Sequence, residues 1–316
     1  MTVLVVGSGG YLGSRLVPAL LARGHRVRAG VTDPRRATVR PWTDRVETVR
    51  CDVLDPASLT AALAGVDAVV YLVHRMGAGS DFRREDAEGA KAMRRVMAAA
   101  GTERCVYVSG LAPSGNGRLP LSRHMVSRLE VESLLSAGPT PVCTLRAGVI
   151  LGAGSASFEV LRTLCELLPV QPVPRWMRHR TVEPVAERDV VEAVCRALAG
   201  EPRTSHADLG CGEALTYPAL LARYSRIAGL PTVRLPVPGL PWDLVAAGLA
   251  PLVARDGATV GALIESLQHD MVVDGSPAGL FPDDWEMTGI DEAIRVALAD
   301  ATGQSGGRRC GICCAA

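Results

Sequence analysis

The chain has 316 residues, with 34 Lys+Arg against 33 Asp+Glu and a formal net charge of +1 at pH 7. That balance gives no electrostatic reason to expect a nucleic-acid partner; the length suffices for one large α/β domain or a Rossmann domain plus a smaller lobe, and a hydrophobic content of 48% for a substantial core. Arginine supplies almost all the positive charge, since Lys91 is the only lysine; Asn116 is likewise the only asparagine. The N-terminus has no basic n-region. Nine cysteines are scattered without disulfide-type spacing, apart from Cys310, Cys313 and Cys314 at the end, so a reducing cytoplasm is the expected compartment. The apolar stretch Leu235–Val253 carries Asp243 and several prolines and is not expected to span a membrane.

In chain order, Thr2–Val6 is a short run rich in β-branched residues, the pattern of a strand buried on both faces. Gly7-Ser8-Gly9-Gly10 follows at once, and an amphipathic pattern from Tyr11 to about Arg23 predicts a helix. Glycines at Gly7, Gly10 and Gly13, with Gly9 as an extra, suit three separate demands: a tight turn out of the strand, backbone approach to a pyrophosphate, and close helix–strand packing. The free N–H groups of the new helix would then hold the phosphates.

His25–Val31 reads as the second strand, and the loop behind it, Thr32-Asp33-Pro34-Arg35-Arg36, selects the dinucleotide. An acid at the strand end would bind a ribose 2′-OH, whereas arginine would neutralise a 2′-phosphate. Asp33 comes one step late and Arg35 and Arg36 follow, which favours NADP and leaves NAD open. Val46–Cys51 is a third strand, followed by Asp52 and Val53 where an adenine edge is met; Asp55 before Pro56 also reads as a helix cap. Asp67–Val73 is a fourth strand ending at His74-Arg75-Met76-Gly77, Asp81–Ala100 a long helix, and Cys105–Ser109 a fifth strand delivering Ser109-Gly110. Ser122–Ser136 is the next helix and Pro141–Arg146 the sixth strand. This alternation predicts an α/β fold with a doubly wound parallel Rossmann sheet, spanning residues 1–151.

From residue 152 the character changes. Phe158–Leu168 is helical, and the proline-punctuated Pro169–Trp176 is expected to be irregular. Val182–Val185, Ala207–Leu209 and Thr232–Leu235 read as short strands. Glu187–Leu198, Tyr217–Ile227, Leu240–Ala254, Val260–Ser266 and Asp291–Asp300 read as helices. Residues 152–300 are expected to form a smaller C-terminal substrate lobe interleaved with the last sheet strands. There Phe158, Trp176, Met177 and Trp242 would either shape an apolar pocket or fill the core. Residues 301–316 read as a disordered tail, whose ending also loosely matches a prenylation box.

Gly7-x-x-Gly10-x-x-Gly13, the Ser109-Gly110 strand end and the Arg146-Ala147-Gly148 turn together resemble an atypical short-chain dehydrogenase/reductase of the NmrA-like kind. Tyr71-Leu72-Val73-His74 is similar to NAD(P)H-binding proteins of that group, as are Leu121–His124 with Ser127-Arg128, Ser155–Glu159, Leu168-Pro169 with Pro174–Trp176, Pro184–Val190 and Leu263–Leu267. The resemblance runs from about Met1 to Leu298 and implies a Rossmann fold with a nicotinamide cofactor. The residues expected to hold it are Gly7, Ser8, Gly9, Gly10, Tyr11, Leu12, Gly13, Thr32, Arg35, Arg36, Asp52, Val53, Leu72, Val73, His74, Ala147 and Val149.

Ordinary members of the superfamily use a Tyr-x-x-x-Lys pair with a serine at the end of the fifth strand. Here Ser109 is kept, but His124 stands at the tyrosine position and Arg128 at the lysine position. Ser109, His124 and Arg128 are the expected catalytic residues. On an ordinary pKa of ~6.5, His124 would serve as general acid at neutral pH. Arg128 would anchor the ribose or a substrate carboxylate. The six histidines show no metal spacing and no Gly-x-Ser-x-Gly elbow occurs, so no metal is expected. The reading is an NAD(P)H-dependent reductase of a small organic molecule. The alternative is a non-catalytic NAD(P)(H)-sensing protein, and no oligomeric state is specified.

Overall fold

The chain begins with β1 (Thr2–Val6), whose Val3 to Val6 are fully buried, and passes at once into α1 (Tyr11–Ala22). Then come β2 (Arg26–Val31), β3 (Glu47–Arg50), α2 (Pro56–Leu63), β4 (Ala68–Tyr71), α3 (Phe82–Ala100), β5 (Arg104–Gly110), α4 (Arg123–Ser136) and β6 (Val142–Ala147). The second half adds β7 (Ile150–Leu151), α5 (Ala156–Leu167), β8 (Val170–Pro174), β9 (Thr181–Val182), β10 (Val185–Ala186), α6 (Glu187–Ala199), β11 (Ser205–Leu209) and β12 (Leu215–Thr216). It closes with α7 (Tyr217–Ile227), β13 (Val233–Val237), α8 (Trp242–Leu249), α9 (Gly257–Ser266) and α10 (Ile290–Ala301). This computed structural model describes residues 1–36, 40–74, 82–112, 121–253, 257–274, 280–281 and 285–302. Met76, Gly77, Asp81, Asn116 and the Cys310–Cys314 tail lie outside the described residues.

Seven strands form one sheet in the order β11-β6-β5-β4-β1-β2-β3, and every neighbouring pair is parallel. The order reverses between β1 and β4, which makes it the doubly wound Rossmann sheet expected from the sequence. The chain divides into two compact units: residues 1–148 with 188–209 and 273–285, and residues 149–187 with 210–272 and 286 onwards. In the first, Leu4, Leu59, Met93, Met97, Tyr71 and Tyr107 are among the buried side chains of one core cluster. Asp55 caps α2 as read from the sequence, accepting from the N–H groups of Ala57 (3.1 Å) and Ser58 (3.3 Å) with Pro56 at the first helical position.

Helix α1 contains an interior proline, Pro18, which has no N–H to give to the carbonyl of Ser14 one turn back. That carbonyl accepts instead from the indole Nε1–H of Trp42 at 3.1 Å, and the Trp42 side chain is buried against the helix at 7% exposure. The loop between β2 and β3 thus replaces the hydrogen bond the proline forfeits.

In the second unit Phe158 packs edge-to-face on Tyr224 (centroids 5.8 Å apart) within a cluster that includes Met177, Val182, Tyr217, Ile290 and Ile294. Of the two alternatives for the aromatic residues, Phe158 and Met177 take the core one, with 0% and 5% exposure. Trp176 and Trp242 are half-buried against a second cluster of Val160, Ala246, Leu249, Val260 and Ile264. The expectation of irregular chain over Pro169–Trp176 is corrected: Val170–Pro174 is a strand paired in parallel with β13. Val233 N–H donates to Pro169 O (2.8 Å), which sets the parity. Pro172, Pro174 and Pro236 fall on the alternate positions, whose nitrogens face away from the partner strand, so no ladder bond is lost. Val182–Val185 is likewise not one strand; β9 pairs antiparallel with β12 and β10 parallel with β7.

Replacing Trp42 by Phe should cost about 1–3 kcal/mol in urea unfolding, because it strands the Ser14 carbonyl. In a Pro18→Ala background, where the helix can supply its own N–H, the same change should cost measurably less, and equal costs would show that the indole is not compensating for the proline.

Candidate active site

The turn after β1 is fastened to the end of β2 by one acceptor. The Gly30 carbonyl receives the N–H groups of Gly7 (3.1 Å) and Ser8 (3.2 Å) and the Ser8 hydroxyl (3.1 Å). Gly7 has φ +87°, a conformation that side chains rarely adopt, and a Cβ there would also meet Val73 Cγ2 at 3.3 Å. At Gly13 the demand is steric: a Cβ would lie 2.5 Å from Gly7 O and 2.6 Å from Ser8 Cα. Gly10, the N-cap, leaves room for a Cβ only 3.2 Å from Gly7 O, whereas at Gly9 the nearest atom would be Val31 Cγ1 at an ordinary 3.8 Å. The fourth glycine is therefore not required by packing.

Helix α1 has no side-chain cap at Gly10 and no acid in its first turn, so its N-terminal dipole is not offset by an acid of its own first turn. Arg15 adds positive charge there, its guanidinium 4.6 Å over the Tyr11 ring. A turn too tight for side chains, leading into a helix N-terminus without an acid in its first turn, fits a dinucleotide pyrophosphate.

Parallel register brings Val6, Tyr71 and Tyr107 side by side, so the chain leaves β1, β4 and β5 at one sheet edge, at the switch point of the strand order. Leu72, Val73 and His74 leave β4 there, and Ser109-Gly110 end β5. From α4, His124 brings its ring to 6.1 Å (centroid to centroid) from that of His74. Arg128, one turn further along, lies over Gly110, where a Cβ would stand 3.3 Å from Arg128 Cδ. Arg128 Nε–H donates to His124 Nε2 at 2.9 Å, so that nitrogen is an acceptor and the neutral imidazole carries its proton on Nδ1.

Burial, and then the Arg128 charge, push His124 down to about 3. The ordinary value on which a neutral-pH acid role relied therefore does not hold in the folded site, for these two reasons. His74 is also held well below its ordinary value, by burial first and then by Arg128 and His124. Burial pulls the Arg128 guanidinium down while Tyr107 and Asp86 act the other way; an arginine stays charged regardless.

Four neighbours were not visible as site residues in the sequence: Asp86, Ser127, Tyr71 and Tyr107. Asp86 is 7% exposed and accepts from Ser127 Oγ at 3.0 Å, tying α3 to α4. Tyr71 and Tyr107 pack edge-to-face at 5.8 Å. Ser109 Oγ and Tyr107 Oη are both buried without a well-aligned partner among the described residues, and lie near one another. An available signal was Asp86 standing on the buried stripe that continues through Gly89, Ala90, Met93 and Met97.

The other expected residues divide. Leu12 is buried in α1, and Thr32 and Arg35 are exposed at the end of β2. Asp33 turns back to accept from the Arg35 N–H (3.0 Å); the Arg36 side chain lies outside the described residues. Asp52 accepts from Leu54 N–H (3.0 Å), and Val53 is buried against Gly89, where a Cβ would approach its Cγ2 to 2.9 Å. Ala147 O is taken by Leu111 N–H (3.0 Å), and Val149 O, in the second unit, by Val185 N–H (3.0 Å). Among the described residues no three His, Cys, Asp or Glu side chains are grouped to hold a metal, and no helix is long and apolar enough to cross a membrane.

Residues 7–132 match the NAD(P)H-binding family. The chain is 33% identical over 113 residues to cinnamoyl-CoA reductase 1 of Oryza sativa subsp. japonica (34% of this chain, 33% of that one). It is 31% identical over 201 residues to a 3-diazoavenalumate denitrifying reductase of a Streptomyces species (54% and 64%). It spans about a third of the length of most of the curated relatives it matches. The fold matches a UDP-glucose 4-epimerase from Thermotoga maritima with TM-score 0.70 at 16% identity, covering 96% of this chain and 99% of that one. It also matches a short-chain dehydrogenase/reductase superfamily protein from Agrobacterium tumefaciens with bound NAD, with TM-score 0.61 at 21% identity (85% and 97%). Residues 7–132 are thus similar to the NAD(P)H-binding family, and the fold around them is that of the Rossmann-like proteins it matches.

Both site histidines are neutral when folded but titrate near 6.5 when unfolded, so the unfolded chain binds more protons below that pH. Stability should fall as pH drops through 6.5, by up to about 1.4 kcal/mol per pH unit for each histidine, down to about 3 for His124. Urea midpoints from pH 8 to 5 should decline less steeply in His124→Gln; an unaltered slope would show that the imidazole is not held neutral.

Proposed function

We infer that the chain is an NADPH-dependent reductase that delivers hydride to a small, hydrophobic organic molecule at a polarised C=O, C=N or conjugated C=C bond. The observation that carries this reading is the meeting, at one sheet edge and within one unit, of the glycine turn with a half-buried Arg128 at the end of β5. Gly7, Gly10, Gly13 and the first turn of α1 would hold the pyrophosphate, and Leu72–His74 would border the nicotinamide half. The cofactor supplies hydride at its C4 position. Ser109 would hydrogen-bond the reacting group, Arg128 would hold developing negative charge, and His124, as a neutral acceptor, would fix the direction of the Arg128 fork.

NADP is favoured over NAD by the loop after β2. The Asp33 carboxylate is engaged by its own turn, while the exposed Arg35 guanidinium has no hydrogen-bond or ion-pair partner among the described residues. That the relatives include a cinnamoyl-CoA reductase and a diazo-compound reductase supports a reductive role. The loss of the tyrosine–lysine pair favours the sensing alternative, so cofactor binding and turnover are tested separately.

Gly10→Val should raise the NADPH dissociation constant by ~10-fold or more, read from cofactor fluorescence with thermal unfolding as the control for folding. Unchanged affinity would remove the turn from the site. The double change Arg35→Ala with Arg36→Ala should weaken NADPH by ~10-fold and NADH far less, since each lost charge-assisted contact is worth ~1.5–3 kcal/mol. Equal losses would show that these arginines do not read a 2′-phosphate. NADPH oxidation across aldehydes, quinones, enones and imines decides between reductase and sensor; binding without oxidation of any acceptor favours the sensor.

A further inference from the structure

Arg128 is spent on very little. Its Nε–H goes to His124, while its terminal Nη groups have no hydrogen-bond or ion-pair partner among the described residues. The carboxylate that acts on it, Asp86, forms no ion pair with it and accepts from Ser127. A half-buried guanidinium whose Nη donors meet no described partner presents them to any anion that enters the site. The remaining neighbours cannot serve as that anion: His74 and His124 are uncharged, Ser109 is a hydroxyl, and Tyr107 is a buried phenol.

The same inventory lacks an acid. His124 Nε2 accepts rather than donates, and the hydroxyls that carry protons, Ser109 Oγ–H and Tyr107 Oη–H, are buried, burial raising the phenol above its ordinary value despite the Arg128 charge. Hydride addition to an isolated aldehyde or ketone leaves a localised alkoxide, which needs a proton delivered in the same step. Hydride addition to a conjugated carbonyl leaves its charge spread over an enolate, which a fixed cation can hold until water protonates it.

We propose that the free face of Arg128 is an oxyanion clamp, and that the site reduces conjugated carbonyl compounds, enones and quinones, in preference to isolated aldehydes and ketones. The substrate class rests on the reductase reading above; the clamp does not. In the step itself a C–H bond forms at the β-carbon from the nicotinamide hydride. The C=C pair moves toward the α-carbon and the carbonyl π pair moves onto oxygen, where Arg128 holds it. Water then gives a proton to the α-carbon of an enone, leaving hydroxide, as the oxygen pair re-forms the C=O bond; in a quinone the proton goes to oxygen and the adduct enolises to the hydroquinone. The acceptor gains two electrons, and the cofactor leaves oxidised.

The clamp is tested without turnover, with 4-nitrophenol as probe and NADP+ in place of NADPH. Bound to the wild type, the phenol should ionise at least about one pH unit lower than in solution, a ~10-fold preference for the anion. Arg128→Met should abolish that shift and Arg128→Lys should retain part of it, with thermal unfolding confirming that both variants fold. A probe bound as the neutral phenol, or a shift that survives Arg128→Met, overturns the clamp. For substrate class, 2-cyclohexenone should be consumed at least ~10-fold faster than cyclohexanone under NADPH, with cyclohexanone as its product, that factor being ~1.4 kcal/mol of transition-state preference. Equal or faster reduction of cyclohexanone, or reduction of the enone at its carbonyl, overturns the substrate class and leaves the reductase reading standing. A normal probe shift with no turnover of any acceptor overturns the reductase reading and the substrate class with it, while the clamp stands.

Discussion

The closeness of Gly13 to the turn before it governs the cofactor end of this protein. A methyl group at that position would sit inside van der Waals contact of both Gly7 O and Ser8 Cα, so α1 can start where it does only because nothing projects there. That approach aims the first turn of the helix at the sheet edge, and the Gly30 carbonyl, gathering three donors, fixes the turn to β2. Two independent constraints, one steric and one hydrogen-bonded, hold the same few backbone atoms. The loop carrying Trp42 adds a third from the far side, through the carbonyl that Pro18 leaves open.

At the other end of the site the organising element is a charge. Arg128 adds to the burial that depresses both histidines, lies against Gly110 because that residue has no side chain, and turns its Nε to His124. The i, i+4 spacing that would carry tyrosine and lysine in ordinary members of the superfamily carries an acceptor and a permanent cation here. The exchange keeps a positive charge in place and removes the titratable donor. In the proposed reductase, chemistry at this edge is therefore governed by where negative charge can come to rest rather than by which group releases a proton.

Legibility in the sequence follows from the kind of constraint. The glycine turn and the buried first strand could be read because few residue types satisfy them, and the strand–helix alternation predicts the sheet that forms. Asp86 is legible only in part: its place on the buried stripe of α3 marks it, but the Ser127 partner that makes a carboxylate tolerable there is a tertiary fact. The pKa of His124 could not be read at all: model-peptide values describe a solvated ring, and burial beside a cation is a tertiary fact. The stretch over β8 departs from the irregular chain its proline content suggests because the position of each proline in the strand, not their number, decides pairing. A strand tolerates them on every second residue, provided the intervening N–H groups face its partner.

That parity reaches beyond the pairing of β8 with β13. With Pro172 and Pro174 along one rim of the ribbon, and Arg234 and Pro236 along the other, neither rim offers an unbroken row of donors to a further strand. The ribbon nonetheless exposes Val170, Val233 and Leu235, residues that elsewhere would invite templated growth of a β-structure. Its prolines act as end-stops, allowing an apolar two-stranded element to face outward without seeding fibrils.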